Sequence, residues 1–493
     1  MVDKQKKLTR NEIIVFVIVF AFLVLLTLFT RFYGNSDVKD YADVSKFITG
    51  EYQAKIRSSH SYLFGFVHSP LVDLFNNFLI FKITSLIFLL VLILSVYYIS
   101  GRNKKSLWLM LLSPIVWYMA PWISPIQLAS LLFLWAFYFI KKYDETNSTK
   151  SLVYAGLLFG ISWAFWDAIL FFIPLLLISF FYNKKLLHLI YILIFIFIGA
   201  LPRFIIDTLL FGFPLFTVAR HILGSLALSF FGGFYGQTTW YGPIWLILVL
   251  LFIPFYSFLL ARKNIFKENK KEIFFLILST ILLIINSQIR FTLLTIPIIL
   301  VIIPKYMEKK QFTIQVIISL VLILLVVNPY LIQTHYDLGN EETSIFGTDF
   351  GGLVANFNAI SVKNELRYDL IQDDLNQIAD DFPNQIFIVG NRDDSYSDLA
   401  HVYWGENVKE FVSIQDYKLY LNNETTIAGK EFCSNVRISE RRDICIKVYI
   451  RKAFSDNLNY GTINYAISDG DTFNIEGFRL IKKYKVLSAY SKE

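Results

Sequence analysis

The sequence has few charged residues for its length. Of its 493 residues, 17% are Asp, Glu, Lys or Arg, whereas 55% are hydrophobic and the mean hydropathy is +0.51. Soluble globular domains carry about 25% charged residues, so the composition excludes a soluble protein of two or three ordinary domains. Apolar runs long enough to cross a hydrocarbon layer of ~30 Å recur from Ile13 to about Ile332. The sequence therefore predicts a polytopic α-helical membrane protein.

Cysteine and histidine are also scarce. Cys433 and Cys445 are the only two cysteines. A disulfide that closes a hairpin is one interpretation, since their segment is predicted to lie outside the cytoplasm, and two buried thiols are the other. His60 and His68 have no second ligand at helical spacing. We therefore expect no metal and no other cofactor, and no residue pattern supports a divalent ion.

The positive charge lies between the apolar runs. The net charge is +7, but most Lys and Arg occupy short segments next to apolar runs, so a nucleic-acid partner is not needed to explain them. The first run is too long for a signal peptide and no small-residue cleavage site follows it, which indicates a retained span. The predicted spans are 12–31, 78–100, 107–120, 126–140, 151–165, 168–182, 189–206, 242–261, 273–287, 291–303 and 312–332.

Lysine-rich and arginine-rich segments alternate with segments that carry almost none. The turns APWISP and AFWDA contain no Lys or Arg, whereas the opposite ends of the same spans are basic. By the positive-inside rule the basic segments face the cytoplasm. The sequence predicts a multi-pass protein of the cell membrane with a cytoplasmic N-terminus. The predicted cytoplasmic segments are 1–11, 101–106, 141–150, 183–188, 262–272 and 304–311.

Two regions differ in composition. Residues 1–332 are predicted to form a transmembrane catalytic domain with long outer loops at 32–77 and 202–241. Residues 333–493 have the composition of a soluble protein, and QIFIVG and KEFVSI are typical of strands. We expect this second region to be an extracytoplasmic α/β domain.

Several charged residues lie on the predicted outer face. Arginine at headgroup depth suits phosphate, and a nearby carboxylate can take a proton from an attacking hydroxyl. Together they predict group transfer from a lipid-linked phosphate donor, with cations that hold the leaving phosphate. The alternative is that each is a solvated loop charge. The candidates are Asp37 and Asp40 after span one, and His68, Asp167, Arg203, Arg220 and Arg290 in later segments.

The first outer loop has helical periodicity after its aspartates. Val44, Phe47 and Ile48 are spaced to share one face, which predicts a helix lying along the membrane surface. Asp37 and Asp40 fall one turn apart there. Asp37 lies at the N-terminal end, so a cap is the alternative role for it.

These motifs resemble those of the GT-C superfamily of membrane glycosyltransferases, which includes protein O-mannosyltransferases and the aminoarabinose transferase that modifies lipid A. The family's mark is a carboxylate directly after span one, and the resemblance covers all of the predicted spans. The matching stretches are Asp37-Val-Lys-Asp-Tyr-Ala-Asp-Val44, His68-Ser-Pro-Leu71, the run from Pro202 and Arg203 to Asp207 and Pro214, and RFTLLTIPIIL from Arg290.

The resemblance implies an inverting glycosyltransferase. Its donor would be a polyprenyl-phosphate-linked sugar, and its acceptor a hydroxyl of a lipid, glycan or protein at the outer face. The family's base maps onto Asp37, and Asp40 ranks second. Three alternatives stay open: glycan transfer to asparagine as in oligosaccharyltransferases, a transporter or flippase of lipid-linked sugars, and a scaffold with a degenerate site. Few charges in mid-span and one large outer region favour the enzyme over the transporter.

The topology can be tested by cysteine labelling. In a variant without Cys433 and Cys445, Ala400→Cys should react with a membrane-impermeant thiol reagent added to intact cells, whereas Glu268→Cys should react only after permeabilisation. Protection at position 400 combined with reactivity at position 268 would reverse the predicted orientation.

Overall fold

The structure is a computed structural model of the chain. It describes residues 8–29, 41, 44–45, 61–75, 79–173, 186–219, 269, 289–327, 344–345, 348–349, 373–383, 385–389, 411–413, 417, 421, 437–439, 442–443, 460–468, 475–485 and 487–493. The α-helices in its N-terminal two thirds are α1 (Arg10–Phe29), α2 (Leu63–Phe75), α3 (Leu79–Ile99), α4 (Lys104–Leu111), α5 (Pro114–Met119), α6 (Ile126–Thr146), α7 (Thr149–Phe165), α8 (Leu186–Phe211), α9 (Thr292–Ile302) and α10 (Lys309–Val326).

Local signals set several helix ends. At the start of α1, Thr9 N–H donates to Glu12 Oε2 at 2.6 Å and Glu12 N–H donates to Thr9 Oγ1 at 3.3 Å, which is a capping box. Glu308 and Gln311 form the same arrangement at α10. Gly212, with φ 72°, follows α8 and ends it in the left-handed conformation that glycine adopts freely.

Three of the described helices, α1, α3 and α8, are long and apolar enough to cross a membrane. The predicted span 107–120 is wrong as one helix, because it is divided into α4 and α5. Pro114 has no N–H and therefore begins the second of these helices rather than continuing the first. The predicted spans 242–261 and 273–287 lie outside the described residues, as does most of 168–182.

The predicted outer loops differ from the structure in two places. Helix α2 lies inside the predicted loop 32–77, so His68–Leu71 belong to a separate helix and do not open span two. Helix α8 continues to Phe211, well inside the predicted loop 202–241. The reason is that Arg203 and Asp207 have buried partners within the protein and need not leave the helix to reach water.

Helices α7 and α8 cross at glycines. A Cβ on Gly160 or Gly199 would lie well under 3.0 Å from backbone atoms of the opposite helix. A Cβ on Gly156 would lie 2.6 Å from Phe195 Cβ. Small residues let membrane helices approach closely enough for extensive van der Waals contact. One turn beyond this crossing, the two helices bring Arg203 beside the end of α7.

Two described residues of the first outer loop, Tyr41 and Val44, pack on α2. Tyr41, Val44 and Ser45 are helical and buried. Of the three apolar residues that predict a surface helix here, Val44 is described, whereas Phe47 and Ile48 lie outside the described residues. The Tyr41 ring meets Phe64 edge-on at 5.3 Å. A Cβ on Gly65 would lie 2.5 Å from the Tyr41 carbonyl oxygen and 3.0 Å from Val44 Cβ, so the two segments touch through backbone.

The C-terminal region contains a mixed five-stranded sheet in the order β4-β3-β7-β9-β8. Strand β3 pairs in parallel with β4 and β7, whereas β9 is antiparallel to both β7 and β8. Residues 373–381 are helical. QIFIVG and KEFVSI supply β3 and β4. The strands are β1 (Ser344–Ile345), β2 (Thr348–Asp349), β3 (Phe387–Val389), β4 (Phe411–Ser413), β5 (Arg437–Ser439), β6 (Arg442–Asp443), β7 (Tyr465–Ser468), β8 (Phe478–Lys483) and β9 (Ser488–Lys492).

The glycine crossing predicts a steric effect on stability. Gly199→Val should push α7 and α8 apart and destabilise the protein, by about 1–3 kcal/mol for overpacking of this kind. The measurement is the thermal unfolding midpoint of the purified protein in detergent. Leu201→Phe is the control, since Leu201 is 48% exposed on the same helix and has room for a larger ring. Equal midpoints for the two variants would contradict the interpretation.

Candidate functional site

An ion pair between Arg203 and Asp167 is the centre of a buried polar cluster. Arg203 lies on α8, and Asp167 begins the 3₁₀ helix Asp167–Phe172 directly after α7. Arg203 Nη1 donates to Asp167 Oδ1, and Nη2 donates to Oδ2 at 3.0 Å. The side chains are 0% and 3% exposed. Such a pair is stable in a dry place only if its remaining hydrogen-bonding groups are also satisfied.

The guanidinium satisfies all five of its N–H groups within the cluster. Besides the carboxylate, Nη1 donates to the Trp163 carbonyl at 3.4 Å, and Nε and Nη2 donate to Thr217 Oγ1 at 3.0 and 2.9 Å. Trp163 belongs to the last turn of α7, whose carbonyl groups lack helical partners. The indole Nε1 of Trp163 also donates to Asp167 Oδ1, at 3.2 Å.

Thr217 links the ion pair to a second carboxylate. Its N–H and its hydroxyl donate to Asp207 Oδ2 at 2.9 and 2.7 Å. Arg203, Asp207 and Thr217 are all 0% exposed. Among the residues that the structure describes, Asp207 Oδ1 has no hydrogen-bond partner. The cluster therefore joins one guanidinium to two carboxyl groups, one directly and one through a hydroxyl.

This geometry does not fit the prediction that Arg203 binds the donor phosphate directly. A phosphate ligand must present N–H groups to its anion, and every N–H of Arg203 already has a protein acceptor. Asp167, which was also a predicted ligand, is occupied by Arg203 and Trp163. Both residues were expected as loop charges on the outer face, but they are an internal connection between α7 and α8.

Arg290 is placed differently. It lies in the 3₁₀ helix Ile289–Phe291 just before α9 and is half-buried. Its guanidinium carbon lies 5.9 Å from the centre of the Phe291 ring, within the range of a cation–π contact. Phe291 stacks on Trp166 at 5.0 Å with an interplanar angle of 8°. Trp166 precedes Asp167, so this stack brings the start of α9 to the end of α7.

His68 is enclosed rather than open to a ligand. It is 3% exposed, and its ring stacks on Phe81 at 4.3 Å. Nδ1 lies 2.7 Å from the Phe64 carbonyl, which only accepts, so Nδ1 carries the proton, and Nε2 lies 2.8 Å from Thr84 Oγ1. Burial lowers the pKa of His68 to about 4, and the ring is neutral at pH 7. Its predicted phosphate contact does not fit these bonds.

Lys82 is a buried cation that the sequence interpretation missed. It lies in the first turn of α3, is 1% exposed, and donates to the Thr27 carbonyl on α1 at 3.3 Å. The hydroxyls of Thr27 and Ser85 are buried with no hydrogen-bond partner in the described part of the chain. A lysine within an apolar span was the available signal, since such residues usually have a function. Lys82 lies in the first turn of α3, and Arg203 and Asp207 lie in the last third of α8, so none of the three is a mid-span charge.

The remaining candidates lie outside the described residues. These are Asp37, Asp40, Arg220, Cys433 and Cys445. The positions of Tyr41 and Val44 show only that the chain just after the two aspartates packs on α2. Within the described ranges, no group of three or more His, Cys, Asp and Glu side chains could hold a metal ion.

The chain resembles solved structures in fold. No protein-family model and no curated protein matches the sequence. Two crystal structures of ArnT from Cupriavidus metallidurans are similar to it, and ArnT is a GT-C aminoarabinose transferase. The structure bound to undecaprenyl phosphate has a TM-score of 0.62 and the apo structure 0.60, each at 11% sequence identity.

The similarity extends over nearly the whole molecule. In both comparisons it covers 98% of this chain and 98% of the ArnT chain. Partial similarity through a few parallel helices would not cover both chains end to end. Together with the apolar helices α1, α3 and α8, the comparison shows that this is a helical membrane protein with the fold of ArnT.

Proposed function

We propose that the protein is an inverting glycosyltransferase that moves a sugar from a polyprenyl-phosphate donor to a hydroxyl group at the outer face of the cell membrane. The observation that carries the proposal is the end-to-end fold similarity to ArnT, which was crystallised with undecaprenyl phosphate. The acceptor hydroxyl would belong to a lipid, a glycan or a protein. The N-terminus would be cytoplasmic and the C-terminal domain extracytoplasmic.

The reaction needs a base and a cation, and the chain offers candidates for both. The acceptor oxygen attacks the anomeric carbon, and Asp37 takes the hydroxyl proton. The bond from this carbon to the phosphate oxygen breaks, and polyprenyl phosphate leaves with the electron pair. Because the leaving group gains negative charge, cations at the phosphate stabilise the transition state. Asp40 is the second candidate for the base.

The best-supported cations are Lys82 and Arg290. Lys82 is buried at the end of α3 that follows the first outer loop, and a desolvated ammonium attracts an anion strongly. Arg290 lies at the start of α9, which packs against α3. Arg220 stays a candidate. Arg203 and Asp167 hold the framework around these residues, and His68 supports α2 against α3.

Two other functions remain as alternatives. The first is a transporter of lipid-linked sugars. The buried charges lie in the first turn of α3 and the last third of α8 rather than at mid-span, and the fold similarity to ArnT also favours an enzyme. An oligosaccharyltransferase-like enzyme shares the fold class and would transfer a glycan to asparagine instead of a hydroxyl. Transfer of radiolabelled sugar from a lipid donor to a hydroxyl acceptor in membranes distinguishes the proposal from both.

The base can be tested by an isosteric change. Asp37→Asn keeps the size of the side chain but cannot take a proton at neutral pH, so sugar transfer should fall about 10²–10⁴-fold, the usual effect of losing a general base. The measurement is the transfer rate at saturating donor, with folding checked by thermal unfolding. Asp40→Asn is the matched comparison and should lose less.

A helix cap is the competing role for Asp37. It predicts destabilisation of about 0.5–2 kcal/mol for Asp37→Ala and much less for Asp37→Asn. A near-normal rate of sugar transfer by a well-folded Asp37→Asn protein would show that Asp37 is not the base.

The phosphate cations can be tested by binding. Lys82→Met and Arg290→Gln remove the charge but keep an unbranched stem, and each should weaken binding of undecaprenyl phosphate by roughly 1.5–3 kcal/mol, the value of a hydrogen bond to a charged group. Affinity is measured in nanodiscs. Lys309→Met is the control, because this lysine is exposed at the start of α10. Wild-type affinity in both test variants would show that these residues do not bind the phosphate.

A further inference from the structure

We propose that Thr217 is a positioning residue for the donor site: its hydroxyl holds Arg203 on Asp167, and Asp167 in turn holds the Trp166–Phe291 stack beside Arg290. This inference rests on the proposed function, since it takes Arg290 as a ligand of the donor phosphate. Thr217 itself lies inside the protein at 0% exposure and touches no substrate.

The Thr217 hydroxyl has three partners. It accepts from Arg203 Nε at 3.0 Å and from Nη2 at 2.9 Å, and it donates to Asp207 Oδ2 at 2.7 Å. One oxygen thereby fills both acceptor sites and its single donor site. A side chain of the same shape without a hydroxyl would leave two N–H groups of the guanidinium short of an acceptor, in a place that water does not reach.

Thr217 also determines which of the two carboxylates, Asp167 or Asp207, accepts hydrogen bonds directly from Arg203. Asp207 lies one turn after Arg203 on α8, and it is bound only through Oδ2, by the N–H and hydroxyl of Thr217, among the described residues. With the hydroxyl present, Arg203 donates directly to Asp167, and the Thr217 hydroxyl links Arg203 to Asp207. Without it, Asp207 gains the freedom to compete with Asp167 for the same guanidinium, because opposite charges attract strongly at low dielectric.

A shift of Asp167 would affect Arg290 through the stacked rings of Trp166 and Phe291. Asp167 follows Trp166 in the chain, so a carboxylate that loses the two bonds from Arg203 holds the turn that carries the indole less firmly. Trp166 and Phe291 are stacked with an interplanar angle of 8°, and the Arg290 guanidinium carbon lies 5.9 Å from the Phe291 ring centre. A displaced indole removes the surface that fixes Phe291, and with it the orientation of Arg290.

The turn after α8 gives Thr217 this place. Gly212 ends the helix in the left-handed conformation, and its N–H donates to the Thr208 carbonyl at 2.9 Å. The chain then reverses and residues 216–219 form a further helical turn. Nothing in the sequence marks Thr217 as different from Thr208, which lies on α8 itself.

The experiment compares Thr217→Val, Thr217→Ser and Thr208→Val in the full-length protein in nanodiscs. Thr208→Val is the matched control, because the Thr208 hydroxyl is exposed and only bonds back to the Phe204 carbonyl at 2.7 Å. The readouts are affinity for undecaprenyl phosphate, the split between KM for the sugar donor and kcat, and the thermal unfolding midpoint. A purely structural threonine would change the midpoint but not the affinity of the folded fraction.

We expect Thr217→Val to weaken undecaprenyl phosphate binding about tenfold and to raise KM for the donor. Thr217→Ser should stay within about twofold of wild type, and Thr208→Val should equal it. Wild-type affinity in folded Thr217→Val overturns the proposal. If Thr217→Val does not fold, Thr217→Ala takes its place, with the same weakening expected, since it also lacks the hydroxyl that Arg203 and Asp207 share.

Failure of the proposed function looks different. If the wild-type protein itself does not bind undecaprenyl phosphate, the donor assignment is wrong. If the wild type binds it and Thr217→Val and Thr217→Ala bind equally well, only the role of Thr217 is wrong. If neither variant folds, Thr217 serves the fold alone and the proposal is overturned as well.

Discussion

The buried pair of Arg203 and Asp167 is the constraint on which the arrangement of this part of the molecule depends. Taking a guanidinium and a carboxylate out of water costs several kcal/mol for each ion. The cost is offset only where geometry is bidentate and every other donor has an acceptor. The structure meets both conditions with Trp163 at the end of α7 and Thr217 beyond α8. Three separate segments are therefore fixed to one another by a single side chain.

The close approach of α7 and α8 makes this pair possible. Gly160 and Gly199 remove the side chains that would otherwise separate the two backbones, and the next turn of each helix then carries Trp163 and Arg203. Packing and polar contact support each other here. Without the glycines, the Arg203 guanidinium would not reach Asp167. If either Arg203 or Asp167 were missing, the crossing would leave the other charge buried without its partner.

The buried and half-buried cations of the described residues fall into two kinds, a structural one and candidates for ligand binding. All five N–H groups of the Arg203 guanidinium donate to protein acceptors, so this residue holds α7 and α8 together. Lys82 and Arg290 lie near polar or aromatic groups at the ends of α3 and α9 and are the better candidates for an anionic ligand. A fold shared with ArnT at 11% identity is compatible with this, because apolar patterning preserves helix packing while the individual charged residues change.

The sequence by itself determined the membrane class and most of the described helices, because apolar length is a local property that decides whether a helix can cross the bilayer. The motif after span one indicated the resemblance to GT-C enzymes. The helix predicted from Val44, Phe47 and Ile48 agrees with the structure at Val44, whereas the other two residues lie outside the described part of the chain. Only the tertiary structure decided the roles of the charges. From the sequence, three residues are candidate phosphate ligands: Arg203, Asp167 and His68. In the structure each side chain is buried, and its polar atoms are hydrogen-bonded to other groups of the protein. Thr217 and Lys82 acquire meaning only through neighbours on other helices, since hydrogen-bond satisfaction depends on which groups the fold brings within 3 Å of one another.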